Sequence, residues 1–600
     1  MCGIAGIFRY AQDGIPVDRE ELQRMQDAMR TRGPDGAGLW ISPDASVGLA
    51  HRRLSLLDLS EAGAQPMTDV DGRLHIVFNG EIYNYRALRR DLEEDGYRFR
   101  STSDTEVLLA LYRERGPEML QALRGMYAFT IFDEANRSLF LARDPFGIKP
   151  LYYADNGRCF RWASQVKALQ RANIDTSPDP AGHVGFFLWG SVPEPHTLFR
   201  GIRALPAGTS LRVNAAGCGT PKTFCSIPAI LAQAERQGTD LGREEMLERV
   251  RASLADSVAH HMIADVTVGV FLSAGLDSVT LAALAARHSD APLRTVTLGF
   301  DEYRNTRDDE TVAAARVAHE LRTNHRTQWI RRTEFEADRE RLLSVMDQPS
   351  IDGVNTYFVS KAAAMTGLKT ALFGLGGDEL FGTYPSFRQI PRMTRLLAPL
   401  RHAPRIGRGF RWVVASLLKH CTSPKYAGLL EYGPTWGGAY LLRRGLFMPW
   451  ELPQVLDPEM VRDGWDTLQP LMRIEETIKG IGSHHLRVSA LEMSWYMRNQ
   501  LLRDADWAGM SHSLEIRVPL VDIEVLKTVV PLLAAPGGRI TKRDVARVAC
   551  GSVPPEILHR PKTGFSIPVQ SWTPTGKRHT GLSRGLRGWA REVYASFSRH

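Results

Sequence analysis

Cys2 is the first residue whose type and place could do chemistry. If Met1 is removed, one residue carries both a thiol and a free α-amine. A thiolate is the nucleophile, and an amine with a pKa of about 8 can act as its base, directly or through water. An ordinary buried thiol in an N-terminal strand is the competing reading. Asn79-Gly80 follows an apolar run and sets a side-chain amide beside a backbone N–H, the composition of an oxyanion hole. The same pair also suits a type I′ turn. Arg53 and Asp104 could meet the carboxylate and ammonium of an amino-acid substrate, or lie on the surface.

Three further stretches suit phosphate chemistry. Ser273-Ala-Gly-Leu-Asp-Ser278 lies where a strand should turn into a helix. Small residues and hydroxyls there let N–H groups face an anion at a helix N-terminus. Asp277 fits such a site only with a cation between it and the phosphate, which points to Mg²⁺. Gly374-Leu-Gly-Gly-Asp378-Glu379 is a second glycine loop after a strand, and it ends in paired carboxylates. Two such loops at the carboxyl ends of strands in one sheet converge on one crevice. Arg560-Pro-Lys562-Thr-Gly-Phe565 is a basic loop whose lysine could neutralise a phosphoryl transition state, or simply be solvated.

The elements that must position these residues fall into two halves. Residues 1–215 read as β-rich with two helices, over 18–29 and 105–114. Ser103 or Asp104 is the expected N-cap of the second helix. Strands are expected at 49–57, 74–78, 126–132, 138–142 and 151–153, with 74–78 stopping at Asn79. Residues 216–243 read as a linker. From 244 to 572 helices alternate with apolar strands at 266–272, 293–298, 325–330 and 370–373, the pattern of a doubly wound parallel sheet. Residues 385–500 read as mainly helical, and 573–600 as a solvated basic tail.

At 600 residues the chain is too long for one core. Hydrophobic content of 43% and charged content of 24% are those of a globular protein. No apolar run approaches the ~20 residues of a membrane span, and without a basic n-region or apolar h-region at the N-terminus no signal peptide is expected. The six cysteines lack metal-ligand spacing, so reduced thiols in a cytoplasm are expected. The net charge of +8 comes from arginines dispersed among acidic residues, apart from the tail, so no nucleic-acid partner is expected.

Taken together, Met1-Cys-Gly-Ile-Ala-Gly6, Arg32-Gly-Pro-Asp35, His51-Arg-Arg-Leu-Ser55, Gly63-Ala-Gln-Pro66, Asn79-Gly-Glu-Ile-Tyr-Asn84, Ser103-Asp-Thr-Glu106 and Arg143-Asp-Pro-Phe-Gly147 resemble a class II glutamine amidotransferase domain. Val268–Ser278, Gly376–Gly382, Ser513–Asp522 and Arg560–Phe565 resemble the synthetase domain of glutamine-hydrolysing asparagine synthetase. The resemblance implies an N-terminal-nucleophile αββα sandwich over 2–215 and a PP-loop domain over 244–572. It implies that Cys2 attacks glutamine and that Asn79 and Gly80 hold the oxyanion. Arg53, Leu54, Ser55, Leu56, Leu57, Glu81 and Asp104 would hold the glutamine. Ammonia would cross a tunnel to a carboxylate adenylated by ATP. Leu272, Ser273, Gly275, Asp277, Ser278, Leu298, Phe373 and Gly374 would hold ATP. Asp277 and Asp378 would bind Mg²⁺, and Lys562 would serve the adenylated intermediate. A homodimer is compatible with the resemblance; a membrane partner is not expected.

The chain departs from the family at Leu375, where a Glu is usual, at Phe373, where Ser is usual, at Ala274, where Gly is usual, and in Asp506-Trp-Ala-Gly-Met510, where an Arg and a Ser are more usual. Leu375 cannot exchange a proton. Either Glu379 or Asp352 takes over, or the acceptor is not aspartate. The leading expectation is synthesis of asparagine from aspartate, glutamine and ATP. The alternatives are amidation of a carboxylate in a secondary metabolite or surface polysaccharide, and an inactive regulatory homologue. Against the last stand Cys2, Asp277, Asp378 and Lys562, all present.

Overall fold

The computed structural model describes residues 2–11, 15–421, 424–535, 540–551, 557–558, 560, 568, 572 and 586–597. The N-terminal half contains β1 (Gly3–Arg9), β2 (Gly36–Ile41), β3 (Val47–Arg53), β4 (Met67–Thr68), β5 (Leu74–Ile82), β6 (Gly125–Asp133) and β7 (Ser138–Arg143). These are followed by β8 (Tyr152–Asp155), β9 (Cys159–Ala163), β10 (Arg203–Ala204), β11 (Thr209–Asn214), β12 (Gly217–Cys218) and β13 (Lys222–Thr223). They form two antiparallel sheets, ordered β10-β8-β9-β1-β3-β2 and β12-β11-β7-β6-β5-β4, with β13 on β11.

The burial pattern follows from strand alternation. Ile4, Phe8, Leu49 and Trp162 of the first sheet meet Val77, Phe132, Leu141 and Leu211 of the second in one core. The opposite face of the first sheet, including Ala5 and Ile7, packs on Leu22 and Met25 of the helix Arg19–Asp27. The outer face of the second packs Ile76, Phe78 and Phe129 on the helices Tyr85–Glu94 and Asp104–Arg115. This is the expected αββα sandwich. The helices Tyr85–Glu94 and Pro180–Trp189 were not anticipated from the sequence. The first carries Tyr85, Leu88 and Leu92 at i, i+3 and i+7, a helical stripe that the sequence does show, whereas the second is apolar on almost every face, which hides helical periodicity.

The second half is built on β14 (Val268–Phe271), β15 (Arg294–Phe300), β16 (Asn324–Ile330), β17 (Thr370–Leu372) and β18 (Glu515–Arg517). All four neighbour pairs are parallel, in the order β16-β15-β14-β17-β18. The order reverses direction between β14 and β17, so the loops after these two strands flank the crevice where such sheets bind ligands. The mainly helical stretch before β18 includes a π-helical run, Glu492–Leu502.

Two boundary expectations are corrected. Within 216–243, β12 and β13 pair with β11, and the helix Ile227–Gln237 buries Ile227, Leu231 and Ala234. Those residues sit at i, i+4 and i+7, and Pro228 starts the helix, so the segment is packed structure and not a free linker. Within 573–600, residues Leu586–Phe597 form a helix that buries Trp589, Ala590 and Val593. Arg587 is buried too, paired with Glu451 at 2.8 Å. The basic residues of this helix therefore do not make it a solvated tail.

Candidate active sites

Cys2 immediately precedes β1 in the first sheet, and Asn79 lies within β5 of the second. The Cys2 N–H donates to Asn79 Oδ1 at 3.1 Å. That nitrogen is the one that becomes the α-amine if Met1 is removed. With its oxygen so engaged, Asn79 must turn its Nδ2 the other way. That Nδ2 is buried and has no hydrogen-bond partner among the described residues. A buried donor is costly to leave unmade, and its presence beside a thiol is what an oxyanion hole needs before substrate arrives.

Asn79-Gly80 is not a turn. β5 continues through it to Ile82, with Gly80 opposite Tyr127 of β6. Any Cβ on Gly80 would collide with the Met126 carbonyl oxygen. The glycine is thus explained by close strand packing, which keeps Asn79 at a fixed depth beside Cys2.

Burial raises the Cys2 thiol; the amino-terminal charge and a hydrogen bond from the Leu54 backbone oppose it, and Glu515 and Glu81 add to the rise. A thiol so held is largely protonated and depends on a base at the moment of attack. The Cys2 carbonyl accepts from Arg32 Nε at 3.1 Å.

The expected glutamine-binding residues surround this point unevenly. Leu54 and Leu56 are buried against Met510 of the second half, and Leu57 packs into the helix-covered face of the second sheet. Ser55 donates its N–H to Asp35 at 2.9 Å. The Arg53 guanidinium donates to the carbonyls of Asp58 and of Ser60, the latter at 2.8 Å, and so braces its own loop. Gly63 leaves room for it. Ser103 caps the helix Asp104–Arg115 by accepting from the Thr105 N–H. Asp104 accepts from the Ile82 N–H at 2.9 Å, and burial pushes its carboxyl up to about 6. Burial also raises Glu81 well above its ordinary value, against the pull of Arg517 at 3.4 Å. Glu515 behaves oppositely: despite burial, the amino-terminal charge, Arg517 and Lys149 bring it down to about 2. Glu515 and Arg517 belong to β18, so the second half reaches the mouth of the first site. The sequence quoted both residues within a motif but gave them no role.

In the second half, Ser273 and Ser278 close the loop after β14. Their hydroxyls lie 2.9 Å apart, the Ser273 N–H donates to Ser278 Oγ at 3.1 Å, and the Gly275 N–H donates to Ser273 Oγ at 3.1 Å. The helix Leu276–Ala286 starts there, which puts Asp277 and Ser278 in its first turn. Leu272 is fixed by donating its N–H to the Val296 carbonyl at 2.9 Å, and Leu298 is buried in β15. On the other side of the crevice, the loop after β17 presents Phe373, Gly374 and Leu375. A Cβ on Gly377 would collide with the Asp277 carboxylate, and one on Gly374 would lie 2.9 Å from Asp277 Cβ. These glycines admit Asp277 beside Asp378.

Lys542, the first residue of the helix Lys542–Cys550, projects its Nζ between the two carboxylates. It is 2.5 Å from Asp277 Oδ2 and also bonded to Asp378 Oδ1. Burial disfavours its charge, yet Asp277 and Asp378 push it up to about 12. Sequence reasoning missed Lys542. A lysine at a helix N-terminus opposes the helix dipole, and that is the signal that could have found it. Two carboxylates converging on one positive charge also suit Mg²⁺, which is commonly held by one or two carboxylates together with substrate phosphates. No cluster of three or more metal-binding side chains occurs among the described residues. Lys562, expected in this crevice, lies outside the described residues.

Beside this pair, burial and Asp378 push Glu379 up to about 7, and Glu379 accepts from the Tyr384 hydroxyl at 2.8 Å. Asp352 is raised by burial, while the Gly353 N–H, Arg444 and the Tyr496 hydroxyl act to lower it. The Arg444 guanidinium lies 3.8 Å from the Tyr496 ring centroid and 4.6 Å from that of Tyr384. Leu375 packs among the hydrophobic residues of this half.

Comparisons with known proteins agree with this two-site arrangement. Residues 1–224 match the family model for a glutamine amidotransferase domain, and residues 249–592 that for asparagine synthase. A putative glutamine-hydrolysing asparagine synthetase of Mycobacterium tuberculosis is 34% identical over 93% of this chain and 85% of its own. Asparagine synthetase 1 of Bacillus subtilis, also named glutamine-hydrolysing, is 32% identical over 99% of this chain and 90% of its own. A protein named amidase chry2 from Gibberella zeae is 30% identical over 65% of this chain and 60% of its own. The chain belongs to the glutamine-hydrolysing asparagine synthetase family.

Proposed function

We propose that the protein converts L-aspartate to L-asparagine, taking nitrogen from glutamine and energy from ATP, in the cytoplasm. The observation that carries the glutamine half is the buried Nδ2 of Asn79 next to Cys2, which has no hydrogen-bond partner among the described residues. Cys2 Sγ attacks the glutamine carboxamide, and its proton passes to the α-amine held by Asn79 Oδ1. Asn79 Nδ2 and the Gly80 N–H receive the oxyanion, the α-ammonium returns the proton to the departing nitrogen so that ammonia leaves, and water releases glutamate from the thioester.

In the second half the aspartate side-chain carboxylate attacks the α-phosphorus of ATP, and pyrophosphate leaves toward Ser273, Gly275, Ser278 and Lys542. A carboxylate is a poor acyl donor to ammonia; the phosphoanhydride supplies the leaving group. Mg²⁺ held by Asp277 and Asp378 would neutralise the phosphates. Glu379, which keeps its proton to about pH 7, is placed to exchange protons as ammonia attacks and AMP departs. It stands in for the carboxylate that Leu375 lacks. Lys562 is assigned to the same intermediate on resemblance alone.

Leu375 favours a second reading, amidation of another carboxylate by the same chemistry. Purified protein with glutamine, ATP and aspartate is expected to form asparagine, AMP and pyrophosphate in equal amounts. Absence of AMP with aspartate, together with AMP formed from a different acid, would replace the first reading by the second.

A further inference from the structure

Between Glu379 and Glu431 the chain has no Asp or Glu, but it has seven arginines and two lysines. This run is not the dispersed charge expected from composition. It forms two surface helices, Ser386–Leu397 and Pro404–Cys421. Arg388, Arg392, Arg395, Arg401 and Arg405 are exposed, and none has an acidic partner among the described residues.

The second helix is anchored along one side. Gly407 lies against the backbone of Leu430 and Glu431, and Arg411 pairs with Glu431 at 2.6 Å over the Trp450 ring. Its exposed surface carries an apolar stripe beside Arg405 and Arg408. Ile406, Phe410 and Val413, at i, i+4 and i+7, are all exposed, Val413 at 69%, and neighbouring Trp412 is 81% exposed. Leu396, at the end of the preceding helix, is exposed as well. Large apolar side chains left in water beside unpaired arginines mark an interaction surface.

We propose that this face docks on an anionic lipid surface, with the helix Pro404–Cys421 lying in the headgroup plane. An apolar stripe with flanking arginines and a Trp is the composition of interfacial helices. A nucleic acid would satisfy the arginines and leave Ile406 and Val413 in water. A second copy of this chain would oppose one acid-free basic face with another. Spanning is not involved, since no helix among the described residues is long and apolar enough to cross a membrane.

The test is co-sedimentation of the full chain with vesicles of phosphatidylcholine alone or mixed with phosphatidylglycerol. Binding to the mixed vesicles only, released by salt, is expected. Replacing Arg395, Arg401 and Arg405 together by Gln should weaken it by about a hundredfold. Val413→Asp and Trp412→Ser should each weaken it by about tenfold or more, with glutaminase activity and Tm unchanged. No binding to the mixed vesicles, or binding insensitive to these variants, overturns the proposal. So does retention of RNA or duplex DNA without vesicle binding. A Val413→Asp change in oligomeric state without vesicle binding would give the face to a second copy instead.

Discussion

Arg32 and Asp506 form a buried bidentate pair, at 2.6 and 3.0 Å, between residues 474 positions apart in the chain. The same guanidinium donates through Nε to the Cys2 carbonyl. One side chain therefore ties the nucleophile's backbone to the helix Arg503–Met510 of the synthetase half. Asp506→Asn would leave the Arg32 charge buried and uncompensated, and should cost about 3–5 kcal/mol. The double variant Arg32→Met/Asp506→Leu should recover much of that loss. Thermal unfolding of the four proteins of this cycle checks it; additive losses would mean the pair is not coupled.

Asn79→Ala should lower kcat for glutamine hydrolysis by about 10²–10³ with little change in KM. Cys2→Ala should abolish hydrolysis. Both should leave synthesis from ammonium salts intact, because neither residue belongs to the second site. A raised KM with normal kcat for Asn79→Ala would make Asn79 a substrate-binding residue instead.

Lys542→Met should abolish AMP formation with ammonium as nitrogen donor and spare glutamine hydrolysis. Without the lysine, the repulsion between Asp277 and Asp378 is screened less. Added Mg²⁺ should therefore raise the Tm of the variant more than that of the parent, a readout independent of activity. Equal Tm responses would mean the carboxylates do not share a cation.

Asp504 should carry a pH signature in stability. It is buried, accepts from Ser350 Oγ and Trp507 Nε1 at 2.7 Å each, and burial followed by the Asp352 charge pushes its carboxyl up to about 8 from 3.8. Between these values the folded chain keeps a proton that the unfolded chain releases, so stability falls as pH rises from about 4 to about 8. The full effect is on the order of 5 kcal/mol at most. Asp504→Asn should gain on the parent progressively across that window and match it near pH 4. Parallel Tm-against-pH curves for the two proteins would contradict this.

Deleting residues 586–600 should lower Tm by several degrees, because it uncovers Phe187 and Phe447 and leaves Glu451 without Arg587. An unchanged melting curve would restore the solvated-tail reading.

Much of the fold was legible because its signals are local. The apolar run Ile4-Ala-Gly-Ile-Phe8 marks a buried strand, and Val268-Gly-Val-Phe271 followed by small residues marks a buried parallel strand entering a helix. The reading failed where periodicity was masked. The helix Pro180–Trp189 is apolar almost throughout, and Asn79-Gly80 looks like a turn when only neighbours along the chain are considered.

The sequence by itself determined the chemical inventory: a thiol at position 2, an amide beside a glycine, hydroxyls and an aspartate at a strand-to-helix turn. Backbone dihedrals and short-range hydrogen bonds are set by residues a few positions apart, so such patterns can be read without coordinates. Only the tertiary structure decided which groups face each other. Asn79 Nδ2 is left without a partner among the described residues because two different sheets set its depth beside Cys2. Lys542 enters the gap between Asp277 and Asp378 because a helix 265 positions along packs there, and Arg32 reaches Asp506 across the junction of the two halves. Such pairs form only when packing removes water and sets distance, and no local pattern encodes either quantity.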